Sequence, residues 1–190
     1  MVVHDKAALR ARIRQQRHTL TPTALERSAG SLARHLLSAP VLRRAARLAA
    51  YVPVGSEPGS VALVDQLRDR GMSVLLPVVR TDGELDWAVH SGILAAGPLG
   101  LREPVGDRLG PDAVAGVDLV LAPAMAADRR GNRLGRGAGY YDRALTRVDP
   151  TVPVVVLLHD GELVDTLPAE PHDRPVTAAV TPTLGWVELG

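Results

Sequence analysis

Asp118-Leu119-Val120-Leu121-Ala122-Pro123-Ala124-Met125-Ala126-Ala127-Asp128-Arg129-Arg130-Gly131-Asn132-Arg133-Leu134-Gly135-Arg136-Gly137-Ala138-Gly139-Tyr140-Tyr141-Asp142-Arg143 decides the fold. An apolar strand over Val117–Ala122 runs into a polar loop, then into glycines at alternate positions, then into a helix over about Tyr140–Val148. The same grammar repeats on both sides. Apolar runs at Leu48–Val54, Val74–Val79 and Val152–Leu158 predict buried strands, and Leu85–Val89 predicts an antiparallel excursion. Helical periodicity predicts an amphipathic helix over residues 5–20, with Leu9, Ile13 and Leu20 on one stripe and Asp5 as its cap. A second helix starts at Thr21-Pro22, and a third covers Val61–Arg70 with Gly71 as its left-handed stop. Residues 92–111, rich in Gly and Pro, read as a long loop. Strands apolar along their whole length, alternating with helices, imply an α/β fold whose mostly parallel sheet is covered on both faces.

The 190 residues suit one domain, residues 1–190. With 46% hydrophobic and 23% charged residues, the chain has the apolar surface that a disordered segment lacks. It contains no Cys, which excludes disulfides, thiolate catalysis and cysteine zinc sites and suits a reducing, cytoplasmic setting. A net charge of +1 supplies no field toward nucleic acid, and 3% aromatics with no Phe leave little for base stacking. No apolar run approaches a membrane span, and the N-terminus has no secretory h-region. The expectation is therefore no nucleic-acid partner, no membrane partner and a monomer. Arg supplies 21 of the 22 basic residues, and Lys6 is the exception, a compact ammonium where a planar fork was not used. Lys6, Arg10, Arg14 and Arg17 form a stripe beside the apolar face of the first helix. Such a stripe is either a rim facing a site or a solvated helix face.

In open α/β sheets ligands bind beyond the carboxyl ends of the strands. Glycines there let backbone N–H groups approach a phosphate, and Arg133, Arg136 and Arg143 offer charge suited to phosphate or carboxylate oxygens. The spacing is neither the Gly-Lys-Ser/Thr phosphate loop nor the G-x-G-x-x-G dinucleotide fingerprint. By spacing alone it remains a phosphate site or a glycine turn with solvated arginines.

Gly131-x-Arg133-Leu134-Gly135-x-Gly137-x-Gly139-Tyr140-Tyr141-Asp142-Arg143 resembles the signature of the 5-formyltetrahydrofolate cyclo-ligase family, also called 5,10-methenyltetrahydrofolate synthetase. Landmarks in the family's order extend the resemblance over nearly the whole chain: Lys6-x-x-Leu9-Arg10, Tyr51-x-Pro53 with Glu57, Asp86-Trp87, Gly100-x-x-Glu103-Pro104, and Leu167-Pro168-x-Glu170-x-x-Asp173 ahead of Thr181-Pro182. The resemblance implies a three-layer α/β/α architecture similar to the sugar-phosphate isomerase and CoA-transferase-like folds. It implies ATP-dependent closure of 5-formyltetrahydrofolate to 5,10-methenyltetrahydrofolate, with Mg²⁺ and with release of ADP and phosphate.

The resemblance also implies roles. Lys6, Arg10 and Arg14 would reach ATP phosphates. Arg133, Leu134, Gly135, Arg136, Gly137, Ala138, Gly139, Tyr140 and Tyr141 would cradle them, with Arg136 through Tyr140 also facing the folate. Arg136, Tyr140 and Lys6 would be the catalytic set. Val52, Glu57 and Trp87 would line the folate site, and Asp142 and Asp173 would hold Mg²⁺. Each has a plainer alternative: Glu57 as a loop carboxylate, Trp87 as a core aromatic, Asp142 as an acid favoured early in a helix. The chain departs from the family in carrying Glu162 at an apparent Gln position. The six His show no metal-ligand spacing. Two other functions stay open: a non-catalytic nucleotide- or RNA-binding relative, and an ATP-dependent enzyme acting on a related small molecule.

Overall fold

A computed structural model describes residues 5–168 and 174–190. In chain order these form α1 (Lys6–His18), α2 (Pro22–Ser38), β1 (Arg47–Ala49), α3 (Val61–Asp69), β2 (Ser73–Val79), β3 (Leu85–Val89), β4 (Leu94–Ala96), β5 (Arg102–Pro104), β6 (Leu119–Ala122), β7 (Ala126–Asp128), β8 (Arg133–Leu134), α4 (Tyr140–Leu145), β9 (Val154–Leu157), β10 (Leu163–Val164), β11 (Ala178–Thr181) and β12 (Gly185–Glu188).

The main sheet has seven strands in the order β12-β11-β9-β6-β1-β2-β3. All its neighbours run parallel except β2–β3 and β11–β12, so an antiparallel strand closes each edge. The chain leaves β1 toward β2 and returns to β6 on the other side, with Leu48 opposite Leu119 and Ala49 opposite Val120. The strand order reverses there, which opens a crevice at the carboxyl ends of β1 and β6.

Strand alternation sorts the apolar residues into two layers. Leu48, Leu119, Leu121, Val155 and Leu157 pack with Leu32 and Leu36 of α2 and Leu63 and Leu67 of α3. Ala49, Val120, Ala122, Val154 and Val156 pack on the other face with Ala144 and Leu145 of α4. A third cluster joins Leu9 and Ile13 of α1 to Met125, Ala126, Leu134 and Leu167, seating α1 on a small sheet of order β10-β7-β8. Asp5 and Thr21 cap their helices as expected, their side chains accepting from Ala7 and Ala24, and Ser60 caps α3 by accepting from Leu63.

Several expectations need correction. The first strand ends at Ala49, and Tyr51 and Val52 beyond it line the crevice. The last helix stops at Leu145 rather than Val148. Residues 92–111 are not a plain loop, because β4 and β5 pair antiparallel inside them. The strands of the small sheet, and β11 and β12 of the main one, were not expected.

Candidate active site

The crevice at the strand reversal holds a cavity of about 250 Å³. One side is the chain after β1, with Tyr51, Val52 and Glu57; the floor includes Pro123 and Ala124 after β6; the other side is Arg133 and the loop Gly135–Asp142. The cavity thus brings together Val52, Glu57, Arg133, Gly135, Arg136, Gly137, Ala138, Gly139, Tyr140, Tyr141 and Asp142, all singled out from sequence.

The glycine-rich loop is held from several directions. Before it, Asp128 is fully buried, and its carboxylate accepts from the backbone N–H groups of Arg130, Asn132 and Leu167 and from the Asn132 amide. The turn needs Gly131, whose φ is +84° and whose added Cβ would lie 2.5 Å from the Val176 carbonyl oxygen. Arg133 donates to the Pro123 carbonyl at 3.1 Å and pairs with Asp142, tying β8 to both β6 and α4. From α1, Arg10 Nε donates to the Gly135 carbonyl at 2.8 Å. Gly139 precedes α4 at φ +74°, and Arg143 donates to the Gly83 and Ala138 carbonyls while its guanidinium lies 5.4 Å over the Tyr140 ring. Arg143 is therefore used to brace the loop.

Across the crevice, Arg136 Nε meets Glu57 Oε1 at 2.9 Å. The Arg136 side chain is 55% exposed and that of Glu57 only 10%. The other Glu57 oxygen accepts from the Val54 N–H at 2.9 Å, so this carboxylate also closes the turn after β1. Tyr51 donates its hydroxyl to the Pro58 carbonyl at 2.6 Å. Burial, then the charge of Glu57, push the Tyr51 and Tyr141 hydroxyls well above the ordinary tyrosine range.

Other sequence-based placements change. Trp87 does not line the cavity: it is fully buried, and packs edge-to-face behind Tyr141, with ring centroids 6.4 Å apart. Leu134 turns its side chain into the cluster beneath α1 because strand alternation sends its neighbour Arg133 the other way. Lys6 and Arg10 stand one turn apart on α1 outside the cavity wall, Arg10 reaching the loop from behind, and Arg14 is exposed. Arg17, on the same stripe, is no rim cation but a buried one: Nε lies 2.6 Å from Glu162, and Nη2 donates to the Ala124 carbonyl at 2.9 Å. Asp142 lines the cavity with its side chain 44% exposed. Asp173 and Glu170 lie outside the described residues. Among the described residues no group of three or more His, Asp or Glu could hold a metal ion.

Sequence reasoning missed Arg102, which lines the cavity from β5. Its signal was Glu103 in the landmark beside it: Glu103 accepts from the Val79 N–H at 2.9 Å and fastens β5 to the end of β2. Asp128 was missed as well, although Asp followed, after two intervening residues, by Gly131-Asn132 is turn chemistry.

Fold and site define a doubly wound α/β enzyme with a glycine-rich, arginine-lined crevice at the strand reversal. Residues 2–182 match the model of the 5-formyltetrahydrofolate cyclo-ligase family, and the chain belongs to that family. It is 42% identical over 195 residues to a 5-formyltetrahydrofolate cyclo-ligase of Mycolicibacterium smegmatis, covering 100% of both chains. It is 32% identical over 180 residues to the Escherichia coli K12 enzyme of that name, covering 92% of this chain and 98% of that one. Among solved structures it is similar to the 5,10-methenyltetrahydrofolate synthetase of Aquifex aeolicus, with a TM-score of 0.81 and 28% identity over 97% of this chain and 92% of that one. No helix among the described residues is long and apolar enough to cross a membrane.

Proposed function

We propose that this enzyme closes 5-formyltetrahydrofolate into 5,10-methenyltetrahydrofolate, converting ATP to ADP and phosphate. The observation that carries this reading is the meeting of Arg136 and Glu57 across the crevice. It sets a cation for phosphate oxygens beside a carboxylate able to accept from the N–H groups of a pterin.

The chemistry asks for such a site. A formamide oxygen is a poor leaving group, and the N5 lone pair is delocalised into the carbonyl. Attack of the formyl oxygen on the γ-phosphorus releases ADP and gives an iminium phosphate. N10 then adds to the carbon and loses its proton, and phosphate departs. Such a step depends on positioning and charge neutralisation rather than on a protein nucleophile. Arg136 and the backbone amides of the loop Gly135–Tyr140 would bind the transferred group, and Arg133 would hold the loop's register. Arg10 and Lys6 would contribute from α1, Arg10 by bracing Gly135. Tyr140, kept in place by Arg143, would face the reacting carbon.

The residues fit a Mg²⁺ carried in with the nucleotide rather than a preformed cage, since such ions keep water ligands and take one or two carboxylates plus phosphates. Asp142, on the cavity wall and half exposed, would hold it, with Asp173 as a second carboxylate. When bound, the ion neutralises phosphate charge.

The test is the gain of methenyl-folate absorbance when the protein is mixed with 5-formyltetrahydrofolate, ATP and Mg²⁺. Absence of that gain at saturating substrates rejects the reading.

A further inference from the structure

Tyr141 combines three properties. It lines the cavity. Its hydroxyl oxygen is shielded from water and has no hydrogen-bond partner in the structure. Its ring is fixed from behind by the edge-to-face contact with Trp87. A buried hydroxyl without a partner destabilises a protein, whereas Phe would fill the same place without that loss. The neighbouring Tyr51 hydroxyl differs, because it is satisfied by the Pro58 carbonyl. Trp87 Nε1 is also unpartnered, but it lies behind the wall.

We infer that the Tyr141 hydroxyl is held in reserve as a hydrogen-bond donor for a neutral carbonyl oxygen of the folate substrate, beside the Glu57 carboxylate that accepts from that substrate's N–H groups. The inference rests on the function proposed above and moves this hydroxyl from the nucleotide side of the loop to the folate side. Electrostatics selects the ligand. The Glu57 carboxylate is near enough to help push the Tyr141 hydroxyl up, and a polyphosphate placed there would meet that negative charge. A carbonyl meets no such repulsion. Burial keeps the hydroxyl protonated and therefore able to donate. A donor beside an acceptor matches the edge of a cyclic amide, where N–H and C=O stand side by side.

The test is Tyr141→Phe, which keeps the ring and its contact with Trp87. Three quantities are compared with the wild type: Kd for 5-formyltetrahydrofolate without nucleotide, Kd for ATP without folate, and Tm of the unliganded protein. The expected result is folate affinity weakened about 3- to 10-fold, ATP affinity unchanged, and Tm unchanged or raised. Unchanged folate affinity overturns the inference. So does a loss confined to ATP, which makes the acceptor a phosphate, or a lowered Tm, which gives the hydroxyl a structural partner. If the wild type itself fails to bind 5-formyltetrahydrofolate, the proposed function falls and the inference with it.

Discussion

Arg136 Nε and Glu57 Oε1 stand 2.9 Å apart and join the glycine-rich loop to the turn after β1. Both groups are also suited to ligands, the guanidinium to phosphate and the carboxylate to amide N–H groups. On the function proposed above, each substrate would compete for one half of the pair and release the other half. The substrates would then assist one another's binding, a coupling that is reciprocal by thermodynamic necessity.

The first prediction is that Glu57→Gln weakens this coupling. Gln keeps an oxygen for the Val54 N–H and loses the charge facing Arg136. Folate KM should rise about 10-fold, the scale of one lost charge-assisted hydrogen bond. ATP affinity measured without folate should stay the same or tighten, because Arg136 is released. Titration calorimetry with each substrate, alone and in the presence of the other, checks both. Unchanged coupling with unchanged KM would show that the pair is not opened by substrates.

A second prediction concerns the buried pair of Arg17 and Glu162. Both Glu162 oxygens take bonds from Arg17, at 2.6 and 2.9 Å, and Oε2 also accepts from the His159 N–H at 2.8 Å. Glu162→Ala leaves a guanidinium buried with only the Ala124 carbonyl, and should cost about 3–5 kcal/mol of stability in urea unfolding. Glu162→Gln, which retains acceptor capacity, should cost less than half of that. Equal losses for the two variants would mean that volume, not charge, matters at this position.

The parallel strands were legible because a strand buried on both faces must be apolar at every position, and Val154–Leu157 can be little else. The crevice was legible because glycines at alternate positions after such a strand have few structural uses. The small sheet was not, because β8 and β10 are two residues each, too short to show an alternation. Arg17 was misjudged because a stripe of like charges reads as a rim or a solvated face until a partner appears, and that partner, Glu162, lies 145 residues away. Trp87 was placed too near the ligand for a similar reason. A strand sequence gives the face of a side chain but not whether another ring, here Tyr141, stands in front of it.

The third prediction contrasts two glycines. Gly30 lies inside α2 with open space where a Cβ would go, so Gly30→Ala should stabilise the protein by about 0.5–1 kcal/mol through helix propensity. Gly131 combines positive φ with a Cβ position 2.5 Å from a backbone oxygen that cannot rotate away. Gly131→Ala should cost about 3 kcal/mol, and turnover should fall too because the turn sets Arg133. Urea unfolding of the two variants checks the opposite signs. Two shifts of the same sign would mean that the turn does not require this conformation.

The fourth prediction is a loss of stability at alkaline pH. Burial, followed by the Glu57 charge, raises both Tyr51 and Tyr141 above the ordinary value of 10.0. In the unfolded chain both hydroxyls ionise near that ordinary value; in the folded protein they keep their protons to higher pH. The folded state then binds more protons, so unfolding free energy falls as pH rises. The contribution is complete below about pH 10 and declines from there toward the raised folded values. Urea unfolding at pH 9 and at about pH 11 should show the decline, and Tyr141→Phe should reduce it by removing one of the two groups. A tyrosinate absorbance signal appearing near the ordinary pKa in the intact protein, from these two residues, would show that neither hydroxyl is protected.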